Sequence, residues 1–337
     1  MKVTGVKVTR RAGGTRASCI VRLLTDAGLT GIGIADARAG AQVKRLVADM
    51  LMGADPRSVT GIWQQMVDAI SARGRGASLR QAMAVLDVAL WDLKAKASHE
   101  PLWQSLGGAR PKANAHVSSI GQPLDDDELF AWYLWMALDY GLRGGKLQVG
   151  PDMDSNLRRL GRMRAALERA APEPALMIDA AQCWPAGEAI GKVCALEEQF
   201  DLTWVEGMSR SRDARGLKRI SDAIRGAVCV GAGFAAIGDY WPHLQLRSAD
   251  VIQIDINAIG ITGALQIADA AFGLELPVTL SAAPGNIHVH LAGVMPSFMS
   301  MEIVDPDPAA QIFFSDVRIE GGWAVAGDAP GNGLALT

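Results

Sequence analysis

The chain has 337 residues, 49% of them hydrophobic and 20% charged, which is enough apolar material for one large or two ordinary domains with a sizeable core. A net charge of −3 gives no basic footprint for nucleic acid or an anionic membrane surface, and no stretch reaches the roughly 18 uninterrupted apolar residues of a membrane span. The four cysteines, Cys19, Cys183, Cys194 and Cys229, are scattered without a CxxC pair, which argues against a zinc or disulfide framework. With no signal-peptide apolar region after Met1, the expectation is a soluble, cytoplasmic protein.

Residues 1–36 read as a β-meander: an alternating run through Val3, Val6 and Val8, a second strand from Cys19, a turn at Asp26-Ala-Gly, and a third strand Gly31-Ile-Gly-Ile. Between the first two strands lies a basic loop with Arg10, Arg11 and Arg16, read either as a cover for a substrate carboxylate or as a solvated loop. Residues 41–106 read as helices: 41–52, stopped at Gly53-Ala-Asp-Pro56, then 59–70, then 78–97 with Leu79, Met83, Leu86, Leu90 and Leu93 near helical spacing. Strands followed by helices predict an α+β unit.

From about residue 112 the pattern alternates. Apolar runs end near Ser119, Gln148, Asp179, Glu206, Ala232, Asp255 and Leu280, and an eighth reaches Glu302. Helical stretches follow most of them: 125–140, 154–170, 185–200, 212–224 and 262–273. This predicts an α/β fold with a closed parallel barrel rather than an open sheet. The domain reading is an N-terminal α+β unit at 1–110 and a barrel at 111–304, with the tail 305–337 folding back on the first unit. Charged residues at the C-terminal ends of barrel strands are candidates for chemistry. Here they are Lys146, Asp179, Glu206, Asp255 and Glu302. Gly231-Ala-Gly-Phe-Ala-Ala236 also resembles a dinucleotide loop, but its place in the fifth unit of a barrel makes that a decoy.

Val85-Leu-Asp-Val-Ala-Leu-Trp-Asp-Leu-Lys-Ala-Lys-Ala97, with Pro101-Leu-Trp-Gln-Ser-Leu-Gly-Gly108, closely resembles the capping-domain helix of the enolase superfamily, in its mandelate racemase and muconate lactonizing enzyme branch. Gly141-Leu-Arg-Gly-Gly-Lys-Leu-Gln148, Met177-Ile-Asp-Ala-Ala-Gln-Cys-Trp184, Ala249-Asp-Val-Ile-Gln-Ile-Asp255 and the closing Pro330-Gly-Asn-Gly333 extend the resemblance over essentially the whole chain. The resemblance implies a capping domain on a modified (β/α)7β TIM-type barrel, and a homo-oligomer. It implies a Mg²⁺-dependent isomerase or lyase (racemase, dehydratase or cycloisomerase) that removes the proton next to the carboxylate of a small substrate.

On this comparison Asp179 and Glu206 match metal ligands. The third ligand position is read as Phe234, which cannot coordinate a cation. Lys146 matches the first lysine of a Lys-x-Lys pair, whose second lysine, the usual base, is Gln148. Asp255 matches the acid that orients a histidine base, and that histidine position falls at Ser281. His288 and His290 are not expected to replace it. Glu302 matches an acid that touches substrate oxygens, and Gln148 and Ser281 keep hydrogen-bonding capacity towards a ligand. Two readings stand for the acids: a working metal site, or an inherited pair neutralised by Lys146. For Lys146, anchoring an anion is preferred to acting as base, because nearby Asp179 would hold it charged. For Asp255 without a histidine, a structural hydrogen bond is preferred. Three functions follow: an enzyme with unusual residues, a metal-free carboxylate binder, or a structural partner of an intact paralogue.

Overall fold

The computed structural model describes residues 1–11, 17–73, 76–304 and 313–336. Arg16 and the Arg11 side chain, the tip of the basic loop, lie outside them, as do residues 305–312 of the tail. The first unit opens with an antiparallel sheet, β1 (Val3–Arg11), β2 (Ser18–Thr25) and β3 (Thr30–Asp36). Helices α1 (Gly40–Leu46), α2 (Val59–Arg73), α3 (Ala77–Ala97) and α4 (Leu102–Ser105) follow.

Helix α3 holds the molecule together, and its sequence says how. Its apolar positions are buried, Leu86, Leu90 and Leu93 completely. It lies so close to β3 that a Cβ on Gly31 would stand 2.2 Å from Ala89 O, and one on Gly33 2.6 Å from Val85 O. The Gly-Ile-Gly spacing of that strand is therefore a packing requirement. The polar residues of α3 are spent across interfaces. The Asp92 carboxylate accepts from Ile32 N on β3 and Asn332 N in the tail, and pairs with Lys96. Asp87 accepts from Thr262 N (2.8 Å) and Thr262 Oγ1 (2.7 Å), and Trp91 Nε1 donates to the same hydroxyl.

The barrel is built from β4 (Lys112–Ser118), α5 (Asp126–Tyr140), β5 (Gly144–Gln148), α6 (Met153–Leu167), β6 (Ala175–Asp179), α7 (Ala186–Glu197), β7 (Leu202–Glu206) and α8 (Ala214–Ser221). It continues through β8 (Ala227–Val230), α9 (Ile237–Leu246), β9 (Val251–Ile254), α10 (Ile256–Phe272), β10 (Val278–Leu280), α11 (Val289–Ala292) and β11 (Phe298–Ile303). The eight strands are parallel, and β11 pairs with β4 to close the ring. The predicted (β/α)7β barrel with an N-terminal α+β unit is what forms.

The tail departs from expectation in part. After β12 (Phe314–Ser315), the hairpin β13 (Arg318–Glu320) and β14 (Trp323–Val325) pairs with barrel strand β4, before the chain reaches the first unit at Gly331 and Asn332 and ends on β15 (Leu334–Ala335). Helix α9, with Pro242 inside it, was not predicted. The predicted start of α10 at Thr262 marks a real break: Gly260 has φ 74, and the helix proper begins after it, where Asp87 of α3 receives the Thr262 N–H. A side chain from one unit thus satisfies an orphan helix donor in the other. Among the described residues no helix is long and apolar enough to cross a membrane.

Candidate active site

Strand register sets the site. Gln148 pairs with Asp179 and Asp179 with Glu206, so three neighbouring strands end at one level. Lys146, two residues before Gln148, points to the same inner side. Its ammonium reaches Glu206 Oε1 (3.1 Å) and Oε2 (3.0 Å), and Glu302 Oε2 (2.8 Å) on β11. Lys146 and Glu206 are each about 2% exposed. Trp204 Nε1 donates to Glu206 Oε1 at 2.7 Å. The network therefore ties β5, β7 and β11 together across the barrel.

Burial opposes the charge on Lys146, but Glu206 and Glu302 outweigh it and hold the ammonium well above the ordinary lysine range. Burial pushes Glu206 up, and although Lys146 pulls it down, the negative charges of Glu302 and Asp179 add to the rise. Burial also acts on Glu302, yet Lys146 and His116 overcome it and hold that carboxyl below its ordinary range. Two acids thus meet one ammonium, and Asp179 adds a third negative charge beside Glu206. An ammonium has three donors, and all three meet carboxylate oxygens. In this arrangement Lys146 is an internal counterion to Glu206 and Glu302.

Asp179 is held from the other side. Its Oδ1 accepts from Ala181 N at 2.7 Å, and a Cβ on Gly207 (φ +61) would lie 2.2 Å from that oxygen. Gly207 therefore lets the loop after β7 close over Asp179. Ala181 (φ 46), Gln182 (φ 61) and Ser209 (φ 62) all adopt left-handed backbone. Such conformations cost on the order of 1 kcal/mol each for non-glycine residues and concentrate at functional sites. Together these loops wall a cavity of about 310 Å³ beside Asp179, with Cys229 and Ala232 also on its lining.

Phe234 does not stand there. Strand β8 ends at Val230, and the Phe234 ring packs away from the cavity against Tyr240 and His243 of α9, 4.9 and 5.2 Å between centroids. Ala232 lines the cavity with Asp179 and offers no ligand atom either. Gln148 is exposed at the mouth. Ser281 is half-buried, and its N–H donates to Ile254 O. Asp255 Oδ1 accepts from Asn257 N and Asn257 Nδ2, both at 2.8 Å, capping the turn that follows β9; no histidine bonds to it among the described residues. His288 Nε2 donates to Glu302 O, and His290 Nδ1 accepts from Trp103 N, so both serve the framework, as expected.

Two inward residues were missed. Trp204 is the indole that orients Glu206. His116 stands beside Glu302 in the β4–β11 pairing and bonds Ser300 Oγ through Nδ1 at 3.0 Å. The alternation Lys112-Ala-Asn-Ala-His-Val-Ser118 carried a signal for it, since residues 114, 116 and 118 share a face. Burial drops its pKa to about 3, so it is a neutral imidazole and a poor base at neutral pH.

A divalent cation suits this site in two respects. Asp179 and Glu206 supply hard oxygen donors, and the mouth is short of positive charge. A third protein ligand is missing: among the described residues no group of three or more His, Cys, Asp or Glu could hold a metal ion.

Residues 134–337 match the family model for the enolase C-terminal domain-like fold, and residues 2–107 that for the mandelate racemase / muconate lactonizing enzyme N-terminal domain. The chain is 30% identical over 289 residues to L-talarate/galactarate dehydratase of Salmonella typhimurium, covering 82% of this chain and 70% of that protein. It is 28% identical over 328 residues to the 3,6-anhydro-alpha-L-galactonate cycloisomerase of Streptomyces coelicolor, covering 94% and 88%. L-Talarate dehydratase from Polaromonas sp. JS666, crystallised with Mg and L-glucarate, superposes with a TM-score of 0.87 at 26% identity, over 100% of this chain and 95% of that one. A racemase from Streptomyces coelicolor with bound magnesium gives 0.87 at 26%, over 99% and 97%. The chain belongs to the mandelate racemase / muconate lactonizing enzyme family of the enolase superfamily.

Proposed function

We propose that this protein binds a small hydroxylated carboxylate together with Mg²⁺ at the barrel mouth, and that it does not abstract a proton from it. The observation that carries the reading is the division among the strand ends. The oxygen donors are kept at Asp179, Glu206 and Glu302, while the positions for a base hold Gln148 and Ser281. Neither side chain accepts a proton at neutral pH. Lys146 is locked as a cation by two carboxylates and His116 is too weakly basic.

Charge selects the rest. Three acids against one fully occupied ammonium repel an anion, so a carboxylate needs a cation to accompany it. Asp179 and Glu206 are the residues that would hold Mg²⁺, and when bound it supplies the positive charge that a ligand carboxylate requires. Lys146 favours the ionised forms of Glu206 and Glu302, Trp204 orients Glu206, and the Ala181 N–H orients Asp179. Relatives named for talarate, galactarate and anhydrogalactonate support a sugar acid as the ligand. Self-association belongs to the same reading: Trp241 on α9 and Phe272 on the neighbouring α10 are 63% and 57% exposed, and sedimentation would detect their burial.

The test is calorimetry with galactarate in Mg²⁺ or EDTA, with NMR in D₂O on the same samples. Saturable binding that EDTA abolishes, without deuterium entering the carbon next to the carboxylate, is the expected result. Deuterium uptake above the buffer rate would restore the catalytic reading. Equal binding in EDTA would refute the role of the metal.

A further inference from the structure

A second cavity, of about 350 Å³, lies at the seam between the two units and shares no lining residue with the one beside Asp179. The first unit lines it with Trp63, Val67 and Ile70 of α2 and Met83 of α3, the barrel with Ile259 of α10 and the start of α9. Ile70, Met83 and Ile259 are buried. Trp63 Nε1 donates to Ile259 O at 3.3 Å, so the one donor of the indole is taken. Among the described residues one cation, Arg80 of α3, stands on this lining. Its side chain is 11% exposed, yet its Nη1 lies 3.6 Å from Asp239 Oδ2, beyond hydrogen-bonding distance. Asp239 is engaged elsewhere. Its Oδ2 accepts from Ala235 N and Ala236 N at 3.1 Å each, and its Oδ1 lies 3.3 Å from Arg212 Nη2. The Arg80 guanidinium therefore has a charge partner but no hydrogen bond to any described residue. Two guanidinium groups against one carboxylate leave this corner with a positive balance.

We propose that the seam cavity is a second ligand site, for a small monocarboxylate with an apolar body. A guanidinium presents its N–H donors in a planar fork that matches a carboxylate. Donors left unmade in a mostly buried place are destabilising, and a carboxylate in the cavity meets them with charge-assisted bonds. The side chains of Trp63, Val67, Ile70, Met83 and Ile259 suit an aromatic or branched aliphatic body. They offer the hydroxyl groups of a sugar acid nothing to bond. The site thus takes a different ligand from the barrel mouth, and it does not depend on the function proposed above. The loop after β8 borders both cavities, with residues 231–233 on one and Ala235 and Ala236 on the other. An acid at Arg80 therefore lies against the same loop that lines the mouth.

The experiment is calorimetry on the full-length protein in EDTA, which withholds a cation from the barrel mouth. It compares 3-phenylpropionate and 4-methylpentanoate with the corresponding alcohols. At least one acid is expected to saturate with a Kd in the millimolar range or below, and its alcohol to bind at least about tenfold more weakly. Arg80→Met is expected to bring that acid down to the level of its alcohol. Val67→Phe adds bulk to a half-buried wall and leaves the charge alone; it is expected to weaken the acid by at least about tenfold. Excess galactarate is expected to leave the titration unchanged. No saturable binding by either acid, equal affinity for acid and alcohol, or a preference that survives Arg80→Met would overturn the inference. Competition by galactarate would also overturn it, by showing that the mouth had taken the probe. If circular dichroism finds Arg80→Met unfolded, Val67→Phe decides: undiminished affinity for the acid in that variant would refute the seam as its site.

Discussion

Replacing Lys146 with methionine puts the central network to the test. The substitution keeps an unbranched side chain, one heavy atom shorter, and removes its charge. Glu206 and Glu302 then lose the one cation bonded to them among the described residues, with side chains 2% and 13% exposed. Breaking a buried ion pair by removing one partner costs about 3–5 kcal/mol, because the charge left behind is not resolvated. Here two carboxylates are stranded, Glu206 keeping the Trp204 Nε1 donor and Glu302 the Ser118 side chain. The expected loss in urea unfolding at pH 7.5 is about 4 kcal/mol. The pH dependence gives the sharper reading. In wild type Glu302 lies below its ordinary range, so its contribution is present above the unfolded pKa near 4.3 and is lost only as pH falls through the depressed value. In the variant burial raises both carboxyls, offset only in part by the hydrogen bonds from Trp204 and Ser118. Their native pKa values then exceed the unfolded ones, so stability is regained as pH falls from 7.5 towards 5. The two proteins should therefore converge in acid. A loss below about 1 kcal/mol, or a gap unchanged between pH 7.5 and 5, would refute the charged network.

Three further outcomes follow from contacts elsewhere. Burial pushes the Asp87 carboxyl up to about 7 despite its bonds from Thr262. A folded pKa above the unfolded value means that its stability contribution is present below pH 4 and is lost as pH rises through 7. Asp87→Asn keeps an acceptor for Thr262 N and should flatten unfolding stability between pH 5 and 8; an unchanged slope would assign the dependence elsewhere. Asp92→Ala strips the acceptor from Ile32 N and Asn332 N together and should cost about 2–5 kcal/mol, with the tail beyond residue 313 becoming sensitive to limited proteolysis. Wild-type melting and protection would show that the carboxylate does not hold the tail. Gly231→Ala should prevent stable folding, because its Cβ meets Gln253 O, whereas Gly233→Ala, strained only by φ +76, should cost about 1 kcal/mol. Equal effects on melting temperature would contradict the packing at the strand end.

The barrel was legible because buried parallel strands are short apolar runs, and a charge just past such a run marks the catalytic end. Ala175-Leu-Met-Ile-Asp179 and Leu202-Thr-Trp-Val-Glu206 announce themselves in this way. Legibility failed where glycine suspends alternation. Past Val230 the chain turns at Gly231 and Gly233, side-chain direction no longer follows parity, and Phe234 was read into a space that Ala232 lines. Helix α9 escaped because Pro242 sits in its middle. The pairing of Lys146 with Glu206 and Glu302 spans 60 and 156 residues, and no local pattern encodes it. His116 was readable by alternation but not by any charge at a strand end, since it lies inside β4 rather than past it.

What the mouth keeps and what it has given up sort by structural duty. Removing Glu206 or Glu302 unbalances a buried ammonium. Asp179 anchors the Ala181 N–H under Gly207, and Asp255 caps the turn after β9. Gln148, Ala232 and Ser281 sit where a change strands no buried charge. The acids therefore also serve the fold, and it is their combination with Gln148 and Ser281 at the base positions that speaks for binding without proton abstraction. The open cavity is not explained in that way. Left-handed backbone at Ala181, Gln182 and Ser209 carries a conformational cost around the cavity beside Asp179. A mouth shaped only for stability would have let Gln182, Ser209 or a larger residue at 232 close that space. A bound ligand would offset that cost, so the cavity joins the division among the strand ends as a feature that argues for binding.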